Sequence, residues 1–485
     1  TLNCVQTKDP QPPKLWEGVR DAKEGEGGVA PQLAPLINKI SGQDDCLYLN
    51  VSTNNLRGKK AVMVWIHGGG FTNGSGSAEF YRPDYFMQHD VVFVSINYRL
   101  GMLGFLNMDI ENCSGNQGLK DQVMALRWVQ KNIEAFGGDQ NNVTIFGQSG
   151  GSASIHYLLI SPLAKGLFHK AIAQSGVGIN PWAFQNSNKE NAMKVAAELG
   201  CASSNKEEIA QFLRSVPAEK ILVAQNKVFD EHPFKLEFHF VPTVDNKCPN
   251  PFLPKPLSEM IESGVDVPLI IGYTSDEGIF ALGSLTLNSG EGISKLLDNF
   301  EECLSKDLKI NLSTASKFSK EVREFYFGEN VTKSEQDNFV QYKGDTQFVT
   351  YWKSDCRNRV QHIYTNFRIV QNFPLCYSFI ILTCACHAED MAHMFYKASL
   401  PSEMQLQKGS GDYLIMQRIT RMWTDFAKTG NPTPKIDDLI KCKWSAYNSD
   451  NKCCQHISDD FKTENSFEEI SWKLWGPIYR KYKLF

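Results

Sequence analysis

Apolar positions along the chain fall into two patterns. Ala61-Val62-Met63-Val64-Trp65-Ile66 and Val91-Val92-Phe93-Val94-Ser95-Ile96 are almost unbroken, as in strands covered on both faces. Val143-Thr144-Ile145-Phe146 and Leu269-Ile270-Ile271-Gly272-Tyr273 read the same way, and Cys46 to Val51 alternates like a half-covered strand. Pro374 to Leu382 is a further strand candidate. The second pattern is helical. Asp121 to Phe136 puts Val123, Leu126, Val129, Ile133 and Phe136 on one face. Tyr413 to Lys428 is an amphipathic helix stopped by Gly430, with Pro432 beyond. Residues 1–45, rich in Pro and Gly, predict an extended, irregular lead-in. Doubly covered strands separated by helices predict an α/β fold with a large, mostly parallel central sheet and helices on both faces.

The segments that follow these strands are small and polar. After Val143–Phe146 comes Gly147-Gln148-Ser149-Gly150-Gly151, and then Ile155, Tyr157, Leu158 and Leu159 open a helix. A G-x-S-x-G turn between strand and helix holds a serine in a strained conformation with its hydroxyl clear of the sheet. Such a hydroxyl needs a base to take its proton, a carboxylate to hold the base, and donors for the oxyanion. His67-Gly68-Gly69-Gly70, directly after Ile66, offers backbone N–H groups with no side chains in the way, and the N–H of Gly150 is a further donor. Taken alone, that stretch reads equally well as a glycine-rich turn.

Of ten histidines, His67 belongs to the glycine stretch and His156 packs into the helix after the serine. His387 comes late, just beyond the Pro374–Leu382 candidate, which suits the order serine, acid, histidine. The acid then lies in the polar turn after Leu269–Tyr273, where Asp276 and Glu277 both stand, while Asp245 in Pro242-Thr243-Val244-Asp245 reads as a structural turn. In a parallel sheet these strand ends share one edge, so residues distant in sequence can form one site.

Composition narrows the partners. The 485 residues carry a net charge of −4 with no basic stripe, which argues against nucleic acid as the main partner. The longest apolar run, near Phe373–Cys386, is too short and interrupted to span a bilayer, so no transmembrane segment is expected. Thirteen cysteines leave at least one thiol free or intermolecular, and none are spaced as a zinc site. Without linker, repeat or low-complexity block, residues 1–485 read as one domain. The chain opens at Thr1 with neither Met nor signal peptide, as a processed or shortened form would, so cytoplasmic and secreted compartments both stay open.

These motifs, in this order, resemble the carboxylesterase/cholinesterase family of α/β-hydrolases (type-B carboxylesterases), and most of all its insect α-esterase members. The resemblance runs over nearly the whole chain. It is carried by Trp16-Glu17-Gly18-Val19-Arg20, Asp45-Cys46-Leu47-Tyr48-Leu49-Asn50, His67 to Phe71, Asn97-Tyr98-Arg99-Leu100-Gly101, Gly118-Leu119-Lys120-Asp121-Gln122, the serine turn, Asp276-Glu277-Gly278, the His387 loop and Trp423 to Pro432. It implies Ser149 as nucleophile, Glu277 rather than Asp276 as acid, and His387 as base. It also implies Gly69, Gly70 and Gly150 as oxyanion donors and Trp182, in Asn180-Pro181-Trp182-Ala183, as an acyl-pocket wall. The implied activity is hydrolysis of small lipophilic esters, including xenobiotic ones, with no metal or organic cofactor; the oligomeric state is left open.

The chain also departs from the family pattern. The family's first strands have no counterpart at the N-terminus. The disulfide partner expected near Ala30 for Cys46 is missing, and Phe212 stands where the partner of Cys201 would be. Gln148 replaces the usual glutamate and Gly150 the usual alanine; glutamine there is shared with juvenile hormone esterases, so a hormone esterase is an alternative reading. The segment from Tyr377 to His387 is shorter than usual, which keeps a non-catalytic ester-binding or adhesion protein as a second alternative. Ala30 to Cys46 has no aromatic residue to hold a quaternary ammonium, so a choline ester is not expected.

Overall fold

Four of the apolar runs form interior strands of a nine-stranded sheet. In the computed structural model, β1 is Leu49–Ser52, β2 Lys60–Ile66, β3 Val92–Ile96, β4 Gly138–Gln148 and β5 Lys170–Gln174. The remaining strands are β6 Leu269–Gly272, β7 Ile363–Ile369, β8 Cys454–Ile457 and β9 Lys462–Glu464. Residues 1–7, 14–16, 20–27, 35–38, 230–235, 263–265, 283–292, 329–333, 350–362, 370–385, 399, 403–404, 449–450, 459, 465–469, 483 and 485 lie outside those the structure describes. The strand order is β9-β8-β7-β6-β5-β4-β2-β3-β1, parallel throughout except for the two edge strands.

Alternation along each strand sends side chains to two cores. Val62, Val64 and Ile66 of β2 and Ile145 of β4 face one side, where Leu119, Val123, Leu126 and Val129 of helix α1 (Gln117–Asn132) join them. Met63, Trp65 and Phe146 face the other, against Ile415, Ile419, Met422 and Trp423 of helix α3 (Gly411–Thr429). Helix α2 (Gly150–Ile160) follows β4. A sheet covered on both faces has no need of polar alternation, which is why its central strands are continuous apolar runs.

Register positions the site. Ile66 pairs with Gly147, Gln148 with Gln174, and Gln174 with Gly272. The chain therefore leaves β2, β4, β5 and β6 at one level of one edge, and His67, Ser149, Ser175 and Tyr273 are the next residues there.

Two sequence expectations need correction, and a third lies outside the described residues. The helix expected over 121–136 begins at Gln117, and Ile133–Phe136 is a 3-10 turn closed by Gly137 at φ 77°. Its first turn escaped a search for apolar spacing because Leu119 is its one large apolar residue, set among buried polar Gln117, Lys120 and Asp121, the last paired with Arg99 at 2.6 Å. The lead-in holds an antiparallel ribbon, Gln32–Ala34 against Lys39–Ser41. The candidate strand Pro374–Leu382 lies outside the described residues; the strand described before His387 is β7, whose mixed Ile-Tyr-Thr-Asn-Phe-Arg-Ile sequence gives no apolar run.

Candidate active site

Ser149 sits between β4 and α2 at φ 57° and ψ −122°, a conformation that a non-glycine residue adopts at a cost of order 1–3 kcal/mol. The backbone fixes it there: Ser149 N donates to Gln174 O at 2.8 Å, and Ala153 N donates to Ser149 O at 2.9 Å. The flanking glycines make room for the turn. A Cβ on Gly147 would come within 2.7 Å of Ile66 O, and one on Gly151 within 2.0 Å of the same oxygen, so neither position can carry a side chain without moving β2.

His387 lies in the turn before a short helix, Asp390–Met394. Its Nδ1 is 2.6 Å from Glu277 Oε2, and the other carboxylate oxygen accepts from Thr274 N at 2.9 Å. Glu277 is 1% exposed and His387 6%. A buried carboxylate accepting at Nδ1 puts the ring proton on that nitrogen and leaves a lone pair on Nε2, the arrangement a general base requires. Phe348 and Phe280 flank the ring at centroid distances of 4.5 and 5.3 Å. The two competing acids are engaged elsewhere. Asp276 accepts from its neighbour Ser275 Oγ. Asp245 accepts from the N–H groups of Phe252 and Leu253 and faces Lys120 at 3.5 Å, a structural turn.

Ser149 and His387 are not directly bonded. Among the described residues no hydrogen bond joins Ser149 Oγ to the ring; Nε2 is met by the Gln148 side-chain amide at 3.2 Å.

Gly69 and Gly70, at φ 106° and 59°, carry the chain in a tight turn in which Gly69 O accepts from Thr72 N and Asn73 N. Among the described residues no acceptor meets the N–H groups of Gly69 and Gly70. A Cβ on Gly150 would lie 3.1 Å from Gly70 N and 3.2 Å from Phe71 N, so these two backbone nitrogens lie beside the Ser149 turn. His67, by contrast, is a packing residue. Its ring stacks on Tyr98 at 4.4 Å, and burial pulls its pKa down to about 4, so it stays neutral.

Trp182 is 1% exposed and donates from Nε1 to Gln347 O at 2.9 Å. Its ring lies 5.9 Å from Phe348, which in turn contacts His387. A Cβ on Gly176 would touch both Ser149 O, at 2.8 Å, and the Trp182 ring, at 3.0 Å, so this glycine lies between the indole and the Ser149 backbone. Phe238 was missed from sequence. Its ring covers Gly70 so closely that a Cβ there would fall 2.2 Å from Cζ. The alternation Phe238-His239-Phe240-Val241 marks a buried residue but not what it covers.

Behind His387, Gln174 donates to Asp390 Oδ2 at 2.5 Å and accepts from Trp423 Nε1 at 3.1 Å, tying the His387 turn to β5 and α3. Burial, reinforced by the neighbouring Asp390 charge, pushes Glu389 up to about 8; burial, offset by the Gln174 amide, pushes Asp390 up to about 6. Cys386 is disulfide-bonded, whereas Cys46 and Cys201 are free thiols. Among the described residues no group of three or more His, Cys, Asp and Glu side chains is arranged to hold a metal ion, and no helix is long and apolar enough to cross a membrane.

The sequence model of the carboxylesterase family matches residues 6–475. The chain belongs to the carboxylesterase family. It is 34% identical over 466 residues to a juvenile hormone esterase of Tribolium castaneum, an alignment covering 89% of this chain and 78% of that protein. It is 37% identical over 354 residues to esterase E4 of Myzus persicae, covering 70% of this chain and 63% of that one. Bile salt-activated lipase of Homo sapiens is 30% identical over 473 residues, with 92% of this chain and 60% of the lipase aligned. The chain thus spans less than two thirds of the length of the last two. Among solved structures, juvenile hormone esterase from Manduca sexta, with OTFP covalently attached, superposes with a TM-score of 0.82 at 28% identity over 98% of this chain and 92% of that one. The nine-stranded, mostly parallel sheet is the α/β-hydrolase fold, and the family is one of carboxylic ester hydrolases.

Proposed function

We propose that this carboxylesterase cleaves small lipophilic esters through an acyl-enzyme on Ser149, with His387 as base and Glu277 as the carboxylate that orients it. The observation that carries the reading is the buried His387–Glu277 pair, 2.6 Å apart, beside a serine held at positive φ. In acylation the Ser149 proton passes to Nε2 as Oγ attacks the ester carbonyl, and Glu277 stabilises the imidazolium that forms. The N–H groups of Gly69, Gly70 and Gly150 take the charge that develops on the carbonyl oxygen. His387 then protonates the leaving alcohol, and water, deprotonated by the same ring, releases the acid. Trp182, Phe348 and Phe238 wall the acyl side with ring surface, which suits apolar acyl groups. We read residues 1–485 as one catalytic domain, since the sheet draws its strands from residue 49 to residue 464.

A narrower reading, hydrolysis of a juvenile hormone-like ester, is favoured by the 34% identity to the Tribolium castaneum enzyme. The experiment is burst kinetics with a chromogenic short-chain ester, together with labelling by a fluorophosphonate. A stoichiometric burst and label are expected in the wild type, and neither in Ser149→Ala, whose kcat should fall by roughly 10⁴–10⁶. A label of equal stoichiometry on Ser149→Ala would remove Ser149 as nucleophile. No burst and no label on the wild type would favour a protein that only sequesters esters. A juvenile hormone analogue hydrolysed no faster than simple aliphatic esters would remove the narrower reading.

A further inference from the structure

Gln148 is the last residue of β4, 5% exposed, and immediately precedes the nucleophile. Its side-chain amide lies 3.2 Å from His387 Nε2. Because Nδ1 donates to Glu277, the neutral ring carries its lone pair on Nε2, and the amide N–H donates into it. That is the lone pair that must take the serine proton. The carboxamide has two usable ends: rotated by half a turn it would present Oε1 to a protonated ring, so it can hold His387 in either state without bringing a charge.

The charged and titratable groups around the ring come from two places. Glu277 reaches it from the turn after β6, and Asp390, Glu389 and His393 lie on its own segment. Phe280 and Phe348 cover its flanks. From the serine turn, the group that meets the Nε2 edge is neutral.

We propose that Gln148 is a positioning residue for acyl transfer: its amide parks His387 between turnovers and keeps the ring unprotonated at lower pH than a carboxylate at that position would. The proposal rests on the reading of Ser149 and His387 given above. Two physical effects follow. Donation to Nε2 stabilises the neutral ring, so losing it raises the ring's apparent pKa. A negative charge in the same place stabilises the imidazolium and raises it further.

The test is the pH profile of kcat/KM on the full chain, from about pH 5 to pH 9, with a chromogenic ester for wild type, Gln148→Glu and Gln148→Met. Gln148→Glu should move the acid limb upward by roughly 1–2 pH units, and Gln148→Met, similar in length but without a hydrogen-bonding end, by less. A merely structural role would lower the rate at every pH and leave the limb where it was; an unmoved limb in Gln148→Glu overturns the proposal. If that variant does not fold, Gln148→Met decides: an upward limb supports the proposal and an unmoved one overturns it. Fluorophosphonate labelling separates the two readings. A label that persists on Ser149→Ala defeats the assignment of Ser149, whereas normal labelling with an unmoved limb defeats the role of Gln148 alone.

Discussion

Ser149 and His387 meet at one sheet edge, but different forces hold them. Ser149 is fixed by backbone: two hydrogen bonds to its own amide and carbonyl, and glycines pressed against the Ile66 carbonyl. His387 is fixed by side chains: a carboxylate at Nδ1, an amide at Nε2, two aromatic rings, and behind it a turn tied down by Gln174. Backbone geometry is specified by neighbouring residues and tolerates almost no substitution. A side-chain cage draws its members from β4, β5, the turn after β6 and the segment near Phe348, and can be retuned one group at a time. The difference separates what should destroy the protein from what should only detune it.

The largest effect is expected at the backbone end. Gly151→Ala puts a methyl group 2.0 Å from the Ile66 oxygen, inside the closest packing of β2 and α2. Either β2 shifts or the turn opens, and a folded protein of normal Tm should not be recovered. A well-folded Gly151→Ala with wild-type burst amplitude, by thermal melt and stopped flow, would break the contrast.

The cage should show graded losses. Glu277→Gln keeps the shape but removes the charge that stabilises the imidazolium, and kcat should drop by roughly 10³–10⁴ with Tm little changed. Asp276→Asn alters a residue engaged with Ser275 and should cost far less. Measured kcat for the pair decides which carboxylate acts, and a larger loss in Asp276→Asn would reverse the assignment.

The same contrast governs what could be read from the chain alone. The serine turn was legible because its strand, its glycines and its helix lie within one short stretch, and β2, β3, β4 and β6 because double burial writes itself as continuous apolar residues. His387 could be singled out by chain order, yet its surroundings could not. Phe238, Phe348 and the contact of Gln148 with Nε2 depend on register between segments far apart in sequence, and nothing local encodes that. The mixed polar and apolar β7, its neighbour β8 and the edge strand β9 were invisible to a search for apolar runs for the same reason: their partners, rather than their composition, make them strands.

A smaller effect is expected at Trp182. Trp182→Leu removes ring volume one glycine away from Ser149, so longer or branched acyl groups should gain in kcat/KM relative to acetyl, by about 10–200-fold at most. The sequence from Tyr377 to His387, shorter than the family pattern and mostly outside the described residues, adds the expectation that bulky alcohols are accepted. A matrix of acyl lengths against alcohol sizes checks both. An unchanged acyl ranking would take Trp182 out of the pocket, and strong preference for one small alcohol would contradict an open rim.

The smallest effect concerns the buried carboxyls behind His387, where a cage should be tunable without loss of chemistry. Folding raises Glu389 from its ordinary 4.5 to about 8, chiefly through burial, and among the described residues its Oε1 has no hydrogen-bond partner. Between those two values the folded protein keeps a proton that the unfolded chain has released. Stability attributable to this group is therefore intact below pH 4.5, falls as pH rises, and levels off above about pH 8. Asp390, raised from 3.8 to about 6, adds a fall of the same sign over a narrower window. Glu389→Gln cannot ionise and escapes its share of that loss. Its Tm should run close to the wild type's near pH 4.5 and exceed it by a margin that widens up to pH 8. A Tm difference that stays flat across that interval would mean that Glu389 is not protonated in the folded state and that the turn carrying His387 holds a buried charge instead.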